Sequence, residues 1–325
     1  MGLAVRVEPL RPRQPKHSVH PLAFRWESQE GALDAAIRTT PIPGLLVSRS
    51  RALRRLGTVA AAIALQDVES AERGRRQPMA LTTLIVPCYN EAGRLHAARF
   101  EHFAEQHPDV RFVMVDDGST DRTLDRLREL EARAAGIRVL ALPKNVGKAE
   151  AVRRGMQEAF SLEPGFVGYW DADLATPLEA VDDFLAVLES RPELLGALGS
   201  RVKLLGRRVQ RSASRHYPGR IFATLASAAV NLPVYDTQCG AKLFRCTPEI
   251  RELFREPFSS RWIFDVEILA RLAEGRRGTS EPPLEDVLYE VSLGEWTDVG
   301  DSKVKATDLV RALWQLLRIR ARYQL

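Results

Sequence analysis

Residues 166–177 read Phe-Val-Gly-Tyr-Trp-Asp-Ala-Asp-Leu-Ala-Thr-Pro, an apolar run that leads directly into two carboxylates, Asp171 and Asp173. Alternate residues of an extended segment point to the same side. This pair at the end of a buried strand can therefore place oxygens around one hard divalent cation that phosphate oxygens also hold. An isolated Asp-x-Asp is more often a helix cap or a solvated turn, so its interpretation depends on the rest of the chain.

Short apolar runs alternate with helical segments from residue 80 onward. The runs typical of strands are Leu81–Val86, Arg111–Val115, Ile137–Leu142 and Phe166–Trp170. Between them, Arg122–Arg133 and Ala149–Phe160 carry apolar residues at helical spacing. This alternation predicts an α/β fold with βαβ units and a mostly parallel central sheet flanked by helices. Ligands of such sheets bind beyond the carboxyl ends of the strands.

Three further motifs are predicted to lie at that edge. Residues 86–91, Val-Pro-Cys-Tyr-Asn-Glu, offer a ring and an acid to a nucleoside, and residues 115–121, Val-Asp-Asp-Gly-Ser-Thr-Asp, offer a carboxylate to a base or ribose. Residues 145–148, Asn-Val-Gly-Lys, place a cation and free N–H groups before a helix, where an anion can sit. Ordinary turns and a solvated lysine are the alternative interpretations.

The excess positive charge of the chain is confined to its first part. Residues 1–78 hold 13 Lys and Arg against 7 Asp and Glu, whereas residues 79–325 are close to neutral. Residues 1–78 are rich in Pro and Arg, with little periodicity beyond a possible helix from Ser50 to Gln66. We therefore predict a disordered or loosely attached leader, or a segment that precedes a true start at Met79. Residues 79–325 are expected to form a single domain.

Cysteine usage and hydropathy favour a cytoplasmic protein. Cys88, Cys239 and Cys246 show no Cys-x-x-Cys spacing, which argues against a disulfide framework or a zinc site. The apolar stretches 58–65 and 221–235 are too short or too interrupted to span a bilayer, which needs about 20 residues. Nucleic acid is not expected as a partner, because the neutral body lacks an aromatic RNA-binding signature.

Longer motifs reveal a family resemblance. They are Gly199-Ser200-Arg201, the run Asp-Thr-Gln-Cys-Gly-Ala-Lys-Leu-Phe at 236–244, Arg-Trp-Ile-Phe-Asp-Val-Glu at 261–267 and Trp-Thr-Asp-Val-Gly-Asp-Ser-Lys at 296–303. Over roughly residues 80–305 the chain resembles the inverting glycosyltransferases of family 2, which have the GT-A fold, and among them the dolichyl-phosphate β-glucosyltransferase group. The resemblance implies a nucleotide-sugar half (79–200), an acceptor half (201–305) and a C-terminal amphipathic helix (306–325).

The resemblance and the motifs together assign a donor site. Asp173 is implied as principal ligand of Mg²⁺ or Mn²⁺, with Asp171 beside it. The residues expected to contact the nucleotide sugar are Pro87, Tyr89, Glu91, Val115, Asp117, Lys148, Asp171, Ala172, Arg201 and Lys303. Cations fit this chemistry, because charge develops on the leaving diphosphate as the glycosidic bond breaks.

The acceptor is expected to be a polyprenyl or dolichyl phosphate, glucosylated from UDP-glucose at the cytoplasmic membrane surface. A hydroxyl acceptor needs a general base, but a phosphate is already an anion and needs orientation more than deprotonation. Asp236 is the first candidate for a base or an organiser of the acceptor site, and Asp265 is the second. Each could instead pair with a buried Arg or Lys.

Two segments bear on membrane contact. A basic run precedes the apolar residues 221–230; its members are Arg201, Lys203, Arg207, Arg208, Arg211, Arg215, His216 and Arg220. This pattern suits a lipid phosphate at a bilayer interface, although a solvated loop before a core helix is the alternative. The predicted C-terminal helix Thr307–Arg322 either covers the core or lies on a membrane.

Other functions would use some of the same motifs. The same donor chemistry could serve a soluble acceptor, and a non-catalytic sugar-nucleotide-binding protein would bind without turnover. A nucleotidyltransferase would need a Gly-rich, Arg-containing N-terminal loop, which the sequence lacks. Ala241 stands where the resembling group usually has an aromatic residue, a departure that bears on the acceptor pocket. Nothing in the sequence indicates the oligomeric state.

Overall fold

The computed structural model describes residues 80–210, 213–297 and 306–325, with the backbone alone for residues 213–218 and 306–310. The predicted leader with its helix at 50–66, the start at Met79 and the predicted phosphate contact Lys303 lie outside the described residues.

Nine strands form two sheets in the described part of the chain. They are β1 (Thr82–Cys88), β2 (Val110–Asp116), β3 (Ile137–Ala141), β4 (Phe166–Trp170), β5 (Gly196–Ser200), β6 (Arg208–Gln210), β7 (Ala241–Arg245), β8 (Leu288–Ser292) and β9 (Glu295–Thr297). The central sheet has the order β3-β2-β1-β4-β7-β5-β8, and β7 runs antiparallel to both of its neighbours. Strands β6 and β9 pair separately.

Helices connect the strands and cover both faces of the sheet. They are α1 (Ala97–Gln106), α2 (Thr123–Arg133), α3 (Lys148–Phe160), α4 (Ala180–Ser190), α5 (Ala213–Val230), α6 (Pro248–Leu253), α7 (Phe264–Arg276), α8 (Leu284–Val287) and α9 (Ala306–Tyr323). The four predicted strands, the two predicted internal helices and the predicted C-terminal helix are confirmed, with ends shifted by at most two residues. The predicted α/β class with a mostly parallel sheet is likewise confirmed.

The alternation of side chains along β1 explains why the sheet has two apolar faces. Leu84 and Val86 pack into the core beneath α1, α2 and α4, whereas Ile85 packs with α3, α5, α7 and α9 on the other face. Burial of each such side chain contributes about 1.5–3 kcal/mol. Gly155 lets α3 approach closely, because a Cβ there would lie 2.5 Å from Cγ2 of Ile85. Strands buried on both faces need continuous apolar runs, which is the pattern in the sequence.

The strand order reverses at β1, and this positions the site. The chain adds β2 and β3 on one side of β1 and then places β4 on the other side. A crevice opens outside the carboxyl ends of strands at such a switch point. The motifs after β1, β2, β4 and β5 therefore share one edge of the sheet, as predicted, and the antiparallel β7 begins at that edge.

Within the described residues, no helix combines the length and the apolar character needed to cross a bilayer.

Candidate active site

A tight turn at the end of β4 presents the two carboxylates. The indole N–H of Trp170 donates to the carbonyl oxygen of Thr176 (2.9 Å), and Leu174 has a positive φ of 51°. The N–H of Leu174 donates to the carbonyl oxygen of Asp171 (3.2 Å). The chain therefore turns back immediately after the strand and holds Asp171 and Asp173 together at the crevice.

The charges at this turn are strongly coupled. Burial and the negative charge of Asp171 raise the pKa of Asp173 above its ordinary value. Nζ of Lys148 lies 2.5 Å from Oδ1 of Asp171. Desolvation opposes the charge of Lys148, but Asp171 and Asp265 outweigh it and raise the pKa of the lysine. The ammonium of Lys148 thus balances one of the two negative charges of Asp171 and Asp173. The turn therefore attracts a further positive charge.

The carboxylate pair fits a divalent cation that is shared with a ligand. Within the described residues, no group of three or more His, Cys, Asp or Glu side chains could hold a metal ion on its own. Asp171 and Asp173 would therefore supply part of the coordination shell, and phosphate or water oxygens the rest, a set that Mg²⁺ and Mn²⁺ accept. The absence of a side chain at Gly240 leaves room for Asp171, because a Cβ there would overlap its carboxylate.

Replacement of Gly240 by alanine is expected to lower kcat/KM by at least about tenfold, because the added methyl displaces Asp171 from its position. Gly275→Ala is the matched control: it lies in α7, where a Cβ meets nothing within 4 Å. That control should raise the free energy of unfolding by about 0.5–1 kcal/mol and leave activity unchanged. Steady-state kinetics and urea unfolding measure both effects. Full activity in Gly240→Ala would show that Asp171 tolerates displacement.

Asp117 shapes the loop that leads into α3. Its buried carboxylate accepts hydrogen bonds from the backbone N–H groups of Val146 (2.7 Å) and Gly147 (2.8 Å) and from the side-chain amide of Asn145 (2.9 Å). Burial outweighs these bonds and raises the pKa of Asp117. The side chain predicted to contact the nucleoside thus also fixes the start of the helix that carries Lys148.

Arg261, which sequence reasoning did not assign to the site, supports the same loop. Its guanidinium donates to Oδ1 of Asn145 (2.8 Å), and Gly147, with φ of 96°, passes beneath it. A Cβ at Gly147 would lie 2.6 Å from Nε of Arg261. The motif at 261–267 could have suggested a role for this residue, but its partner is 116 positions away in the chain.

The loop after β1 is hydrogen-bonded to the segment after β2, since the N–H of Asn90 donates to Oγ of Ser119 (3.0 Å). Tyr89, whose ring is predicted to contact the nucleoside, is 37% exposed. The carboxylate of Glu91 forms an ion pair with Arg94 (2.6 Å). Of the other predicted donor-site residues, Val115 and Ala172 are buried and Pro87 is half-buried.

A buried ion pair links the end of β5 to the segment before β7. Arg201 donates through Nε and Nη2 to the two carboxylate oxygens of Asp236 (2.6 and 2.8 Å), and its backbone N–H donates to the same group (3.1 Å). Burial opposes ionisation of Asp236, but Arg201 outweighs it and lowers the pKa. Glu290 on β8 accepts from the N–H groups of Tyr235 and Asp236 and so holds this segment in place.

A second buried pair lies beneath the carboxylate turn. Nζ of Lys242 donates to Oδ1 of Asp265 (2.5 Å) and to the carbonyl oxygens of Thr237 (3.1 Å) and Cys239 (2.6 Å). The hydroxyl of Tyr169 donates to the same Asp265 oxygen (2.5 Å). Sequence reasoning singled out neither Lys242 nor Tyr169, although a lysine inside the apolar run 241–244 signals a buried partner.

The structure thus places Asp171, Asp173, Lys148 and the segment 236–240 at one edge, with both candidate bases in ion pairs. Ala241 is fully buried opposite Trp170 in the sheet register.

Comparison with solved structures identifies the fold of this chain. Glucosyl-3-phosphoglycerate synthase from Mycobacterium tuberculosis, in complex with phosphoglyceric acid, superposes with a TM-score of 0.54 at 18% sequence identity. The match covers 75% of this chain and 80% of that chain. The fold is the GT-A fold of nucleotide-sugar transferases.

The family model described as Glycosyl transferase family 2 matches residues 83–251, and the chain belongs to this family of glycosyltransferases. Similar curated proteins include a dolichyl-phosphate beta-glucosyltransferase of Trichomonas vaginalis, 30% identical over 73% of this chain and 70% of its own length. The dolichyl-phosphate beta-glucosyltransferase of Saccharomyces cerevisiae is 28% identical over 75% of each chain, and that of Drosophila melanogaster is 34% identical over 68% of each. The resemblance inferred from the motifs is therefore confirmed.

Proposed function

We propose that this glycosyltransferase transfers glucose from UDP-glucose to a polyprenyl or dolichyl phosphate, with inversion, at the cytoplasmic surface of a membrane. The observation that carries the proposal is the pairing of Asp171 and Asp173 with Lys148 at the switch point of the sheet. The curated relatives support the sugar and the acceptor, since they are dolichyl-phosphate beta-glucosyltransferases. The solved neighbour in complex with Mn²⁺ and UDP-glucose supports a donor of this chemistry on the same fold.

The donor side binds and orients a nucleotide diphosphate sugar. Tyr89 stacks on the base, and Asp117 accepts from the nucleoside while it holds the loop 145–147. Asp173 and Asp171 would hold Mg²⁺ or Mn²⁺, which when bound would stabilise the charge on the leaving diphosphate. Lys148, at the N-terminus of a helix of 13 residues, adds a fixed positive charge at the same place.

The acceptor side orients a phosphate rather than deprotonating it. A phosphate oxygen attacks the anomeric carbon as the bond to the diphosphate breaks, and a single displacement inverts the configuration. Asp236 accepts from the Nε and Nη2 edge of Arg201, so that the Nη1 edge faces away from the pair and can meet the acceptor phosphate. This role replaces the nucleotide-sugar contact that the sequence assigned to Arg201. In this scheme Asp236 is the organiser of the acceptor site, and Asp265 keeps Lys242 and the segment 237–239 in place.

The proposal is tested by radiolabelled transfer into an organic-extractable product. Undecaprenyl or dolichyl phosphate is incubated with labelled UDP-glucose, and with GDP-mannose in parallel, in the presence of Mg²⁺, Mn²⁺ or EDTA. Metal-dependent glucose label in the lipid phase is the expected result. Label released only as free glucose would show hydrolysis of the donor without transfer to lipid and would favour a soluble acceptor, and binding of UDP-glucose without turnover would assign a non-catalytic binding protein.

A further inference from the structure

A turn beside the acceptor side exposes two leucines. The chain leaves β5 at Ser200, and the N–H of Arg207 donates to the carbonyl oxygen of Leu204 (3.2 Å) to close the turn. Leu204 is 52% exposed and Leu205 is as exposed as an isolated residue, at 104%. Gly206 has a φ of 81° and completes the reversal. Neither leucine belongs to the core, so their burial needs an apolar phase outside the domain.

The surroundings of this turn are cationic. Lys203, Arg207 and Arg208 flank the leucines, and their side chains are exposed. Residues 194–235 contain seven Lys and Arg and no Asp or Glu. Glu295 on β9 stands opposite Arg208 in the register of the small sheet, so the flank still carries an excess of positive charge. The apolar tip formed by Leu204 and Leu205 is thus flanked by basic side chains. This arrangement matches an anionic lipid surface, in which apolar groups enter below the headgroups.

Backbone contacts fix the turn to the reaction site. Arg201, three residues before Leu204, is the partner of Asp236. After the turn, β6 pairs with β9, and the N–H of Thr297 on β9 donates to the carbonyl oxygen of Ala175 (3.1 Å) in the carboxylate turn. A surface that seats on this tip therefore lies next to the acceptor side of the crevice.

We propose that residues 203–208 form a membrane-docking turn: Leu204 and Leu205 enter an anionic bilayer while Lys203, Arg207 and Arg208 bind its headgroups. This inference rests on the proposed function, since docking here brings a membrane-borne phosphate to Arg201. Other exposed apolar side chains lie on α5 (Ile221 and Leu225) and on α9 (Trp314 and Leu317). Neither helix follows Arg201 directly in the chain, as the turn does. The exposed side chains of these helices therefore provide the control in the experiment on membrane binding.

Vesicle flotation of the full chain tests the docking turn. The wild type, the double variant Leu204→Ser/Leu205→Ser and the control Leu317→Ser, also an exposed leucine, are mixed with vesicles of phosphatidylcholine alone or with phosphatidylglycerol. We expect binding of the wild type to the anionic vesicles, loss of about tenfold or more in apparent affinity in the double variant, and no change in the control. Equal binding by the double variant and the wild type would overturn the proposal. Loss of binding in Leu317→Ser alone would instead place the membrane face on α9.

A second measurement separates this inference from the proposed function. Transfer to a short, water-soluble isoprenyl phosphate should be equal in the wild type and the double variant, whereas transfer to undecaprenyl phosphate in vesicles should fall in the double variant. A wild type that glucosylates neither phosphate would overturn the proposed function, and flotation would still decide the docking turn. A double variant that fails on the soluble acceptor as well would show that the leucines act on the crevice itself.

Discussion

Replacement of Asp173 by alanine is expected to lower kcat/KM for glucosyl transfer by roughly 10²- to 10³-fold or more. In the proposed mechanism the variant loses a carboxylate that would hold a divalent cation against the leaving diphosphate, and a lost electrostatic stabiliser of this kind has effects of about that size. Radiolabelled transfer measures the rate, and titration of Mn²⁺ in the presence of UDP measures the loss of metal binding independently of turnover. Asp183→Ala, at an exposed position of α4, is the matched control and should retain full activity.

The same carboxylate has a predictable effect on stability without metal. The raised pKa of Asp173 means that folding disfavours its ionised form, chiefly through burial and then through Asp171. The folded state therefore binds more protons than the unfolded state between the two pKa values, and this group's contribution to stability falls as pH rises through that interval. Asp173→Asn should consequently unfold at the same temperature as the wild type or at a higher one at neutral pH. The N–H of Ala175 donates to Oδ1 of Asp173 (3.1 Å), and the asparagine oxygen can keep this bond. A marked loss of stability would therefore show that the negative charge of Asp173 stabilises the folded protein.

The main architecture could be predicted from the sequence because its signals are local. The run 166–170 is apolar at every position, as a strand buried on both faces requires, and its ends agree with those of β4. The rule that parallel strands present their carboxyl ends at one edge then brings Asp117 and Asp173 to the same crevice. Neither step needs knowledge of a contact between distant residues.

The ion pairs could not be predicted, because they depend on the strand order. Asp236 lies 35 positions from Arg201, and Asp265 lies 23 from Lys242. Both pairs follow from the insertion of the antiparallel β7 between β4 and β5, a direction that the apolar pattern of the strand does not encode. The sequence allowed each aspartate to be either a base or the partner of a buried cation, and only the fold supplies the cations.

Removal of one partner from the buried pair of Lys242 and Asp265 should be the most destabilising single change at the site. Asp265→Asn leaves the ammonium of Lys242, which is 1% exposed, without a counter-charge, and removal of one partner of a buried pair destabilises a protein by about 3–5 kcal/mol. Urea unfolding followed by circular dichroism measures this change. The double variant Lys242→Met/Asp265→Asn should recover part of it, because the buried charge is gone and the asparagine oxygen can still accept from the hydroxyl of Tyr169. Recovery should be incomplete, because the carbonyl oxygens of Thr237 and Cys239 lose their donor.

Activity of that double variant decides the role of Asp265. If the pair acts on stability alone, restored stability should bring kcat/KM back to within about tenfold of the wild type. A stable but inactive double variant would contradict this purely structural role, because it would mean that the pair's charges, or the hydrogen bonds of Lys242 to the segment 237–239, act on the site. The pair lies beneath Asp171 and Lys148, so loss of local structure and loss of charge would both lower the rate. Only loss of local structure also lowers the free energy of unfolding, and this difference separates the two causes.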